Sequence, residues 1–374
     1  MKAENTKLRI LEINAGNGVF GGVSAFLLNL FRTLDHNDYQ ISFLSMGKST
    51  FEDYREEIEG NGGKIHALNA QGGVGKWFSY LSGLKRHLQE NTYDVIHINA
   101  GSPGFLALSL YQCRRYSAAK VITHVHSIYE GASSARKKMY AALRNYLVRK
   151  SALTLACSSA AGDFCFGEGN YEVLNNGIDL RDFHFDMEKR SSIRETYGVR
   201  EDELLCGFIG RMEPVKNPRF ALAVFEEILR LNPSAKMWMA GDGSLLEEMK
   251  REAEQKNMGE RLRFFGTIRG TAELLQGIDV LLMPSLSEGF GLSAVEAQCM
   301  QCEVFASDDV PEETRINEHI HYCSLDLSAQ AWAEMILNCT MSREEHSDQR
   351  ELYDIRSTAK KLDDIYHRLG RQHA

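Results

Sequence analysis

Proline is scarce, at 6 in 374 residues, so no proline-rich stalk or low-complexity linker divides the chain. Long apolar runs are missing too. No stretch approaches the ~20 consecutive apolar residues of a membrane-spanning helix. The opening MKAENTKLRILEIN passes from polar residues straight into a strand pattern, without the apolar core of a secretory signal. The expected location is therefore the cytoplasm. The 8 cysteines are scattered: Cys299 and Cys302 make a lone CxxC with no second pair, and no histidine stands at finger spacing. Small buried thiols in a reducing compartment are expected, with no metal or redox role. Nor is there a basic excess, since 43 Lys and Arg against 51 Asp and Glu leave a net charge of −8. That balance argues against nucleic acid as a partner.

What is present is a globular composition, 43% hydrophobic and 25% charged. At this length one hydrophobic core does not suffice, and two domains are expected. Short apolar runs recur at 8–14, 40–44, 64–68, 94–99, 120–125 and 153–157, then at 204–210, 236–241, 262–266, 279–284 and 303–307. Amphipathic stretches separate them. Val23, Phe26, Leu27, Leu30, Phe31 and Leu34 repeat as one face of a helix. Strands alternating with helices form right-handed βαβ units around parallel sheets. The fold class is α/β, with two Rossmann-like, doubly wound parallel-sheet domains facing across a cleft. The seam is expected in the charged segment 181–202, which divides the chain into domains 1–183 and 184–356. Ligands are expected at the carboxyl ends of the strands.

In the stretch GNGVFGG, Gly16, Gly18 and Gly21 satisfy G-x-G-x-x-G. A dinucleotide site also needs an acidic residue at the end of the second strand, about 20 residues on. That strand ends FLSMGKS, without one, and GGVGKW lacks the rest of a phosphate-binding loop. What survives is a close backbone approach at Gly21 and Gly22 beside a helix start suited to an anion.

Three later segments carry more chemistry. In MPSLSEGFGLSAVEAQ, Glu288 stands in a loop and Glu296 eight residues on in a helix, with the amides of Gly289, Phe290, Gly291 and Leu292 at the helix start. In FIGRMEPVKNP, Arg211 and Lys216 flank a turn, a fork and a point charge suited to a diphosphate. In VITHVHSIYE, His126 follows a strand end and shares its face with His124.

Together with NGID, AGDGSLLEEMK and RFFGT, these ordered motifs resemble family 4 of the retaining glycosyltransferases, of GT-B fold, across nearly the whole chain. VEAQCMQCEVFASDDVPEET is similar, more narrowly, to enzymes of bacterial exopolysaccharide or capsule synthesis. The resemblance implies a nucleotide-sugar donor, UDP-linked by preference, bound by the C-terminal domain. Glu296 would hold the ribose, Arg211 and Lys216 the diphosphate, and Glu288 and the amides after it the sugar. Phe265, Thr267 and Ile268 would lie near the base. His126, with Glu288, Arg211 and Lys216, would serve catalysis, and Gly21 and Gly22 would admit the diphosphate. A last helix within 357–374 would cross back to the first domain. The chain departs from the family's pattern at Gln301 and Glu303, where a glycine and a proline are frequent, and at Ser127, where an acid is.

The expected reaction moves a hexose or N-acetylhexosamine to a glycan or polyprenyl-diphosphate-linked acceptor, with no metal and no cofactor. The alternative is a GT-B nucleotide-sugar epimerase or phosphorylase; a third class, a sugar-binding protein, lacks the export signal it would need. The segment 134–150 has no acid, and Arg136, Lys137, Lys138, Arg144, Arg149 and Lys150 alternate there with Met139, Tyr140, Leu143, Tyr146 and Leu147. This suggests an anionic membrane surface at the inner face of the cell membrane, with helix 77–88 as a rival contact.

Overall fold

The computed structural model describes residues 7–16, 21–70, 75–127, 134–268, 270–341, 343 and 349–370, the side chains of 134–137 excepted. Gly18, residues 72–74, 128–133 and 371–374, and the side chains of Arg136 and Lys137 lie outside that description. The chain forms two compact units, Met1–Ile178 with Leu352–Ala374, and Asp179–Glu351.

In the first unit the strands are β1 (Leu8–Asn14), β2 (Tyr39–Ser45), β3 (Lys64–Ala67), β4 (Val95–Ala100), β5 (Lys120–Val125), β6 (Leu153–Ala156) and β7 (Glu172–Val173). They pair in parallel in the order β3-β2-β1-β4-β5-β6-β7. Both faces of such a sheet are covered, so its central strands read as continuous apolar runs rather than as alternation. The helix Gly22–Thr33 lays Phe26, Leu27, Leu30 and Phe31 on the sheet. The helix Ile355–Gly370 packs beside it, burying Ile355, Leu362, Ile365, Tyr366 and Leu369 in the same core.

The second unit holds β8 (Leu205–Ile209), β9 (Lys236–Ala240), β10 (Leu262–Gly266), β11 (Val280–Met283), β12 (Glu303–Ser307) and β13 (Ile320–Cys323), ordered β10-β9-β8-β11-β12-β13. Within each sheet the order reverses once, between β1 and β4 and between β8 and β11. Those two points are the topological switch points of doubly wound sheets. β7 and β13 were not among the expected strands: the first is two residues long and exposed, the second a four-residue edge strand with two half-exposed positions. Among the described residues no helix is long and apolar enough to cross a membrane.

The turn after the helix Leu292–Cys299 explains the departure at Gln301. Cys302 N–H bonds the carbonyl of Ala297 at 2.9 Å and Gln301 N–H that of Gln298 at 3.0 Å. This is a Schellman ending, and it places Gln301 at φ +58°, where glycine is at home. A side chain there costs roughly 1–2 kcal/mol. Gln301→Gly is expected to stabilise the protein by about 1 kcal/mol, read as a higher midpoint in urea or heat. A lower midpoint would contradict the strain.

Candidate active site

At the switch point of the second unit, β8 runs out into Gly210–Lys216 and β11 into Pro284–Glu288. Because β8 and β11 are neighbours, these loops leave the sheet side by side. Leu286 N–H donates to the Val215 carbonyl at 2.8 Å and ties them together. The result is an ion pair between Lys216 Nζ and Glu288 Oε1. Ser285 Oγ donates to that same oxygen at 2.7 Å. Glu288 is buried and Lys216 partly so. A second lacing comes from the loop after β9. Met212 N–H bonds Asp242 O at 2.9 Å, and Glu213 accepts from Ser244 N–H at 3.0 Å and Ser244 Oγ at 2.8 Å. Arg211 stands exposed beside Glu213, and no ion pair holds its guanidinium among the described residues.

Beyond Glu288 the chain turns through Gly289 and buried Phe290 to Gly291, which caps the helix Leu292–Cys299 at φ +95°. A side chain would be strained there and would approach Met283 Cε at 2.9 Å. The cap offers no side chain to the first turn. The N–H groups of Gly291 and Leu292 therefore have no acceptor among the described residues. Glu296, one turn into that helix, accepts from Thr271 Oγ1 at 2.8 Å. Burial pushes its carboxyl up to about 7, against the pull of the Thr271 bond. Thr267 is exposed and Ile268 partly buried in the loop that leads to Thr271. Phe265 packs edge-on to Tyr197 at 5.1 Å and Trp238 at 5.5 Å.

In the first unit His126 follows β5 and is buried. Its Nε2 meets Asn99 Oδ1 at 2.9 Å, while Asn99 Nδ2 donates to Glu12 Oε2 at 2.8 Å. The second contact orients the amide: reversed, it would set a carbonyl against a carboxylate. His126 must then carry its proton on Nε2, which leaves Nδ1 as an acceptor. Burial, helped by the nearby His97, pushes His126 down to about 3 against the pull of the Asn176 side chain, so the ring is neutral at physiological pH. Glu12 is held in turn by Tyr366, whose hydroxyl donates to Oε1 at 2.6 Å and lies 2.9 Å from His97 Nδ1. His124 stacks on His97 with ring centroids 5.3 Å apart.

Gly21 precedes the helix Gly22–Thr33 in extended backbone, φ −149°, and a Cβ there meets nothing within 4 Å. Packing does not demand a glycine at 21. It does at Gly16, where a Cβ would lie 2.4 Å from Thr50 Cγ2. Sequence reasoning missed Glu12, Asn99, Thr271 and Ser285. Of these, only Ser285, three residues before Glu288 in the same loop, carried a usable signal.

The helix Ser134–Lys150 is less uniformly free than its composition suggests. Tyr140 and Leu147 are buried in the core, and Arg144 Nη2 donates to the carbonyls of Asp163 and Phe164, each at 3.1 Å. Lys138, Met139, Arg149 and Lys150 remain exposed.

Residues 20–182 match the family model Glycosyltransferase Family 4, and residues 189–351 the model Glycosyl transferases group 1. Putative glycosyltransferase EpsF of Bacillus subtilis is 28% identical, over 89% of this chain and 88% of that protein. The UDP-Gal:alpha-D-GlcNAc-diphosphoundecaprenol alpha-1,3-galactosyltransferase of Escherichia coli is 22% identical, over 80% and 79%. The solved structure of Anabaena HepE in complex with UDP and glucose superposes with a TM-score of 0.77 at 18% identity, covering 96% of this chain and 99% of that one. With both halves matched in order on two parallel-sheet units, the chain is a glycosyltransferase of GT-B fold. Within that class it resembles the family 4 enzymes, whose model its first half matches.

The Glu296 carboxyl yields a pH test. Its folded value of about 7 lies above the ordinary 4.5, so the fold prefers the protonated acid. That preference stabilises the protein fully below about 4.5 and is lost as the pH rises through about 7. Glu296→Gln is expected to gain thermal stability relative to wild type between pH 5 and pH 8. An unchanged difference between the two pH values would overturn this.

Proposed function

We propose that the protein transfers a hexose or N-acetylhexosamine from a UDP-sugar to a lipid-linked glycan acceptor, with retention at the anomeric carbon, in exopolysaccharide or capsule synthesis. The observation that carries the reading is the cationic end of the second sheet: Lys216 beside Glu288, exposed Arg211, and the uncapped helix start at Leu292. A leaving nucleoside diphosphate gains negative charge as the anomeric C–O bond breaks. Positioned donors stabilise such charge, each worth about 10²–10³ in rate. Arg211 and Lys216 take the diphosphate, supplying the positive charge that a divalent cation supplies in other transferases, and the amides of Gly291 and Leu292 take an oxygen of the donor. Glu288 holds sugar hydroxyls, Glu296 the ribose, and the loop from Phe265 to Ile268 the base. The HepE structure was solved with UDP and glucose, and the E. coli relative is named for a UDP-galactose donor and a diphosphoundecaprenol-linked acceptor. Both support this choice of substrates.

The acceptor hydroxyl attacks the face the diphosphate leaves. The C–O bond to phosphate breaks, and the acceptor proton passes to the departing phosphate oxygen. No enzyme nucleophile is needed. We assign His126 to a sugar hydroxyl: its Nδ1 lone pair accepts, and Asn99 keeps the ring in that tautomer. Gly21, where an added Cβ would meet nothing within 4 Å, leaves room for a phosphate at the start of its helix, with Gly22 beside it.

UDP is expected to raise the melting temperature more than GDP, ADP or TDP, by mass action. Arg211→Ala and Lys216→Ala should each lower turnover at least about tenfold at saturating donor. Near wild-type turnover in both would remove the clamp.

We place a membrane contact on the first unit. The neighbouring helices Gly75–Glu90, Pro103–Tyr116 and Ser134–Lys150 expose Trp77, Phe78, Tyr111 and Met139 among Lys85, Lys138, Arg149 and Lys150, and Phe78 is 79% exposed. Inserting Phe78 contributes about 2 kcal/mol. Phe78→Asp should therefore weaken flotation with phosphatidylglycerol vesicles by about tenfold or more. Wild-type protein that fails to float would sink this assignment.

A further inference from the structure

The departure at position 303 leads to a second site, remote from the loops just described. Glu303 opens β12 at its amino end, whereas the donor loops leave the carboxyl ends of the strands. In the parallel register β12 sets Phe305 beside His321 of β13. Glu303 and His319 lie one step earlier on the same face, and Cys339 follows the helix Ala329–Asn338.

The geometry of the cluster is specific. Glu303 Oε1 meets His319 Nδ1 at 2.8 Å, and its Oε2 meets His321 Nε2 at 2.7 Å. Cys339 Sγ lies 3.6 Å from that same His321 Nε2. One ligand atom each from Glu303, His321 and Cys339 falls within 4.8 Å of the others.

Without an ion, hydrogen bonds complete the cluster in one way: His321 Nε2 donates to Glu303, and the thiol of Cys339 donates to the carbonyl of Thr340 at 3.8 Å. An imidazole nitrogen carries at most one proton. If Nε2 donates to Glu303, it has no lone pair for the thiol and no second proton for the sulfur. If it accepts from the thiol, it faces the carboxylate with nothing to give. In the first arrangement the 3.6 Å approach of Cys339 Sγ to His321 Nε2 is the contact that no proton fills.

A metal ion shared by the three ligand atoms accounts for that approach. Bonds of ~2.0 Å to nitrogen and ~2.3 Å to sulfur at a tetrahedral centre separate the two atoms by about 3.5 Å, close to the 3.6 Å seen here. Glu303 Oε2 and His321 Nε2, at a hydrogen-bond spacing of 2.7 Å, part to about 3.3 Å when both ligate. One carboxylate and one thiolate also neutralise a divalent cation in a partly buried place.

We propose that Glu303, His321 and Cys339 are the protein ligands of a zinc-type metal site, with a fourth position open to water. His319 holds the second oxygen of Glu303 and so turns the first toward the metal, the usual outer partner of a ligating carboxylate. Phe305, stacked on the His321 ring at 4.7 Å, fixes its plane. The site ties the end of the helix Ala329–Asn338 to the edge of the sheet. It is separate from the transfer chemistry and does not depend on the substrate assignment. Residues 303, 321 and 339 are evenly but widely spaced, which is why no finger motif marks them.

The test uses the full chain, stripped of metal by chelator dialysis and titrated with zinc chloride or cobalt chloride. One zinc per chain by calorimetry, a thiolate-to-cobalt charge-transfer band, and tetrahedral cobalt bands in the visible are expected. Zinc should raise the melting temperature of the wild type. Cys339→Ser should abolish the charge-transfer band, and both Cys339→Ser and His321→Ala should weaken zinc binding by at least about tenfold. Failure of wild-type protein to bind zinc stoichiometrically would overturn the proposal. So would a charge-transfer band that persists in folded Cys339→Ser.

Discussion

Lys216 and Glu288 form the contact on which the rest of the second unit's functional end depends. Taking two charges largely out of water costs several kcal/mol per ion, and the pair persists only where further hydrogen bonds complete it. Ser285 supplies one, and Ser307 Oγ fixes the carbonyl of Ser285 at 2.5 Å. Neither partner sits on a strand. Both ride on loops that would be mobile alone and are set by the Leu286–Val215 bond and by the Met212–Asp242 and Glu213–Ser244 contacts. Removing Lys216 would leave the buried Glu288 carboxylate without its counter-ion. Arg211, outside this lacing, stays exposed and has no ion pair among the described residues.

The first unit meets the same physical problem with a different answer. Glu12 is buried in the middle of β1 and has no lysine or arginine beside it among the described residues; it accepts from the Asn99 amide and the Tyr366 hydroxyl, with His97 Nδ1 3.3 Å from its Oε2. A buried acceptor left without its donors costs about 1–3 kcal/mol. The C-terminal helix is therefore joined to the sheet by more than its apolar face. Tyr366 couples it to Glu12, Glu12 to Asn99, and Asn99 to His126, so the tautomer of the histidine is linked to the docking of the last helix. Asp363 on the same helix also accepts from Tyr39 Oη at 2.6 Å.

Much of this architecture was legible in the sequence, because buried parallel strands leave continuous apolar runs and amphipathic helices leave a period. β1, β5, β10 and β12 have the expected bounds. β13 escaped because IHYC is short, half polar and stands at an edge. The site divides in the same way. Residues within one loop, such as Glu288 and Gly291, were readable, since loop and helix start are local. Glu12 was not: inside LRILEIN it reads as the polar beat of a strand, and its partners lie 87 and 354 residues away. Composition misled in the helix Ser134–Lys150, where a basic, aromatic segment spends Tyr140 and Leu147 on the core and Arg144 on carbonyls. Glu303 read as a substitution for proline, and only the pairing of β12 with β13 brings it to two histidines.

The opposite end of the second sheet shows why the cations are divided as they are. There Arg194 is fully buried, and burial lowers its pKa. It donates to the carbonyls of Gly277 at 2.8 Å, Arg200 at 2.5 Å and Glu203 at 2.5 Å, and reaches Asp279 at 3.2 Å. Arg190 joins the same Asp279 at 2.8 Å, and Asp279 also accepts from Leu205 N–H at 2.8 Å. Only a planar fork with five donors spans so many fixed oxygens, and a lysine would leave several unmet. This lock ties the helix Met187–Thr196 to the entry of β8 and β11, the two strands whose far ends carry Lys216 and Glu288. At those far ends the requirement differs: a compact ammonium beside a carboxylate, and an exposed guanidinium without an ion pair among the described residues. Arginine ties the amino ends of β8 and β11 to the helix Met187–Thr196, while the loops at the carboxyl ends, laced to one another, pair Lys216 with Glu288 and leave Arg211 exposed.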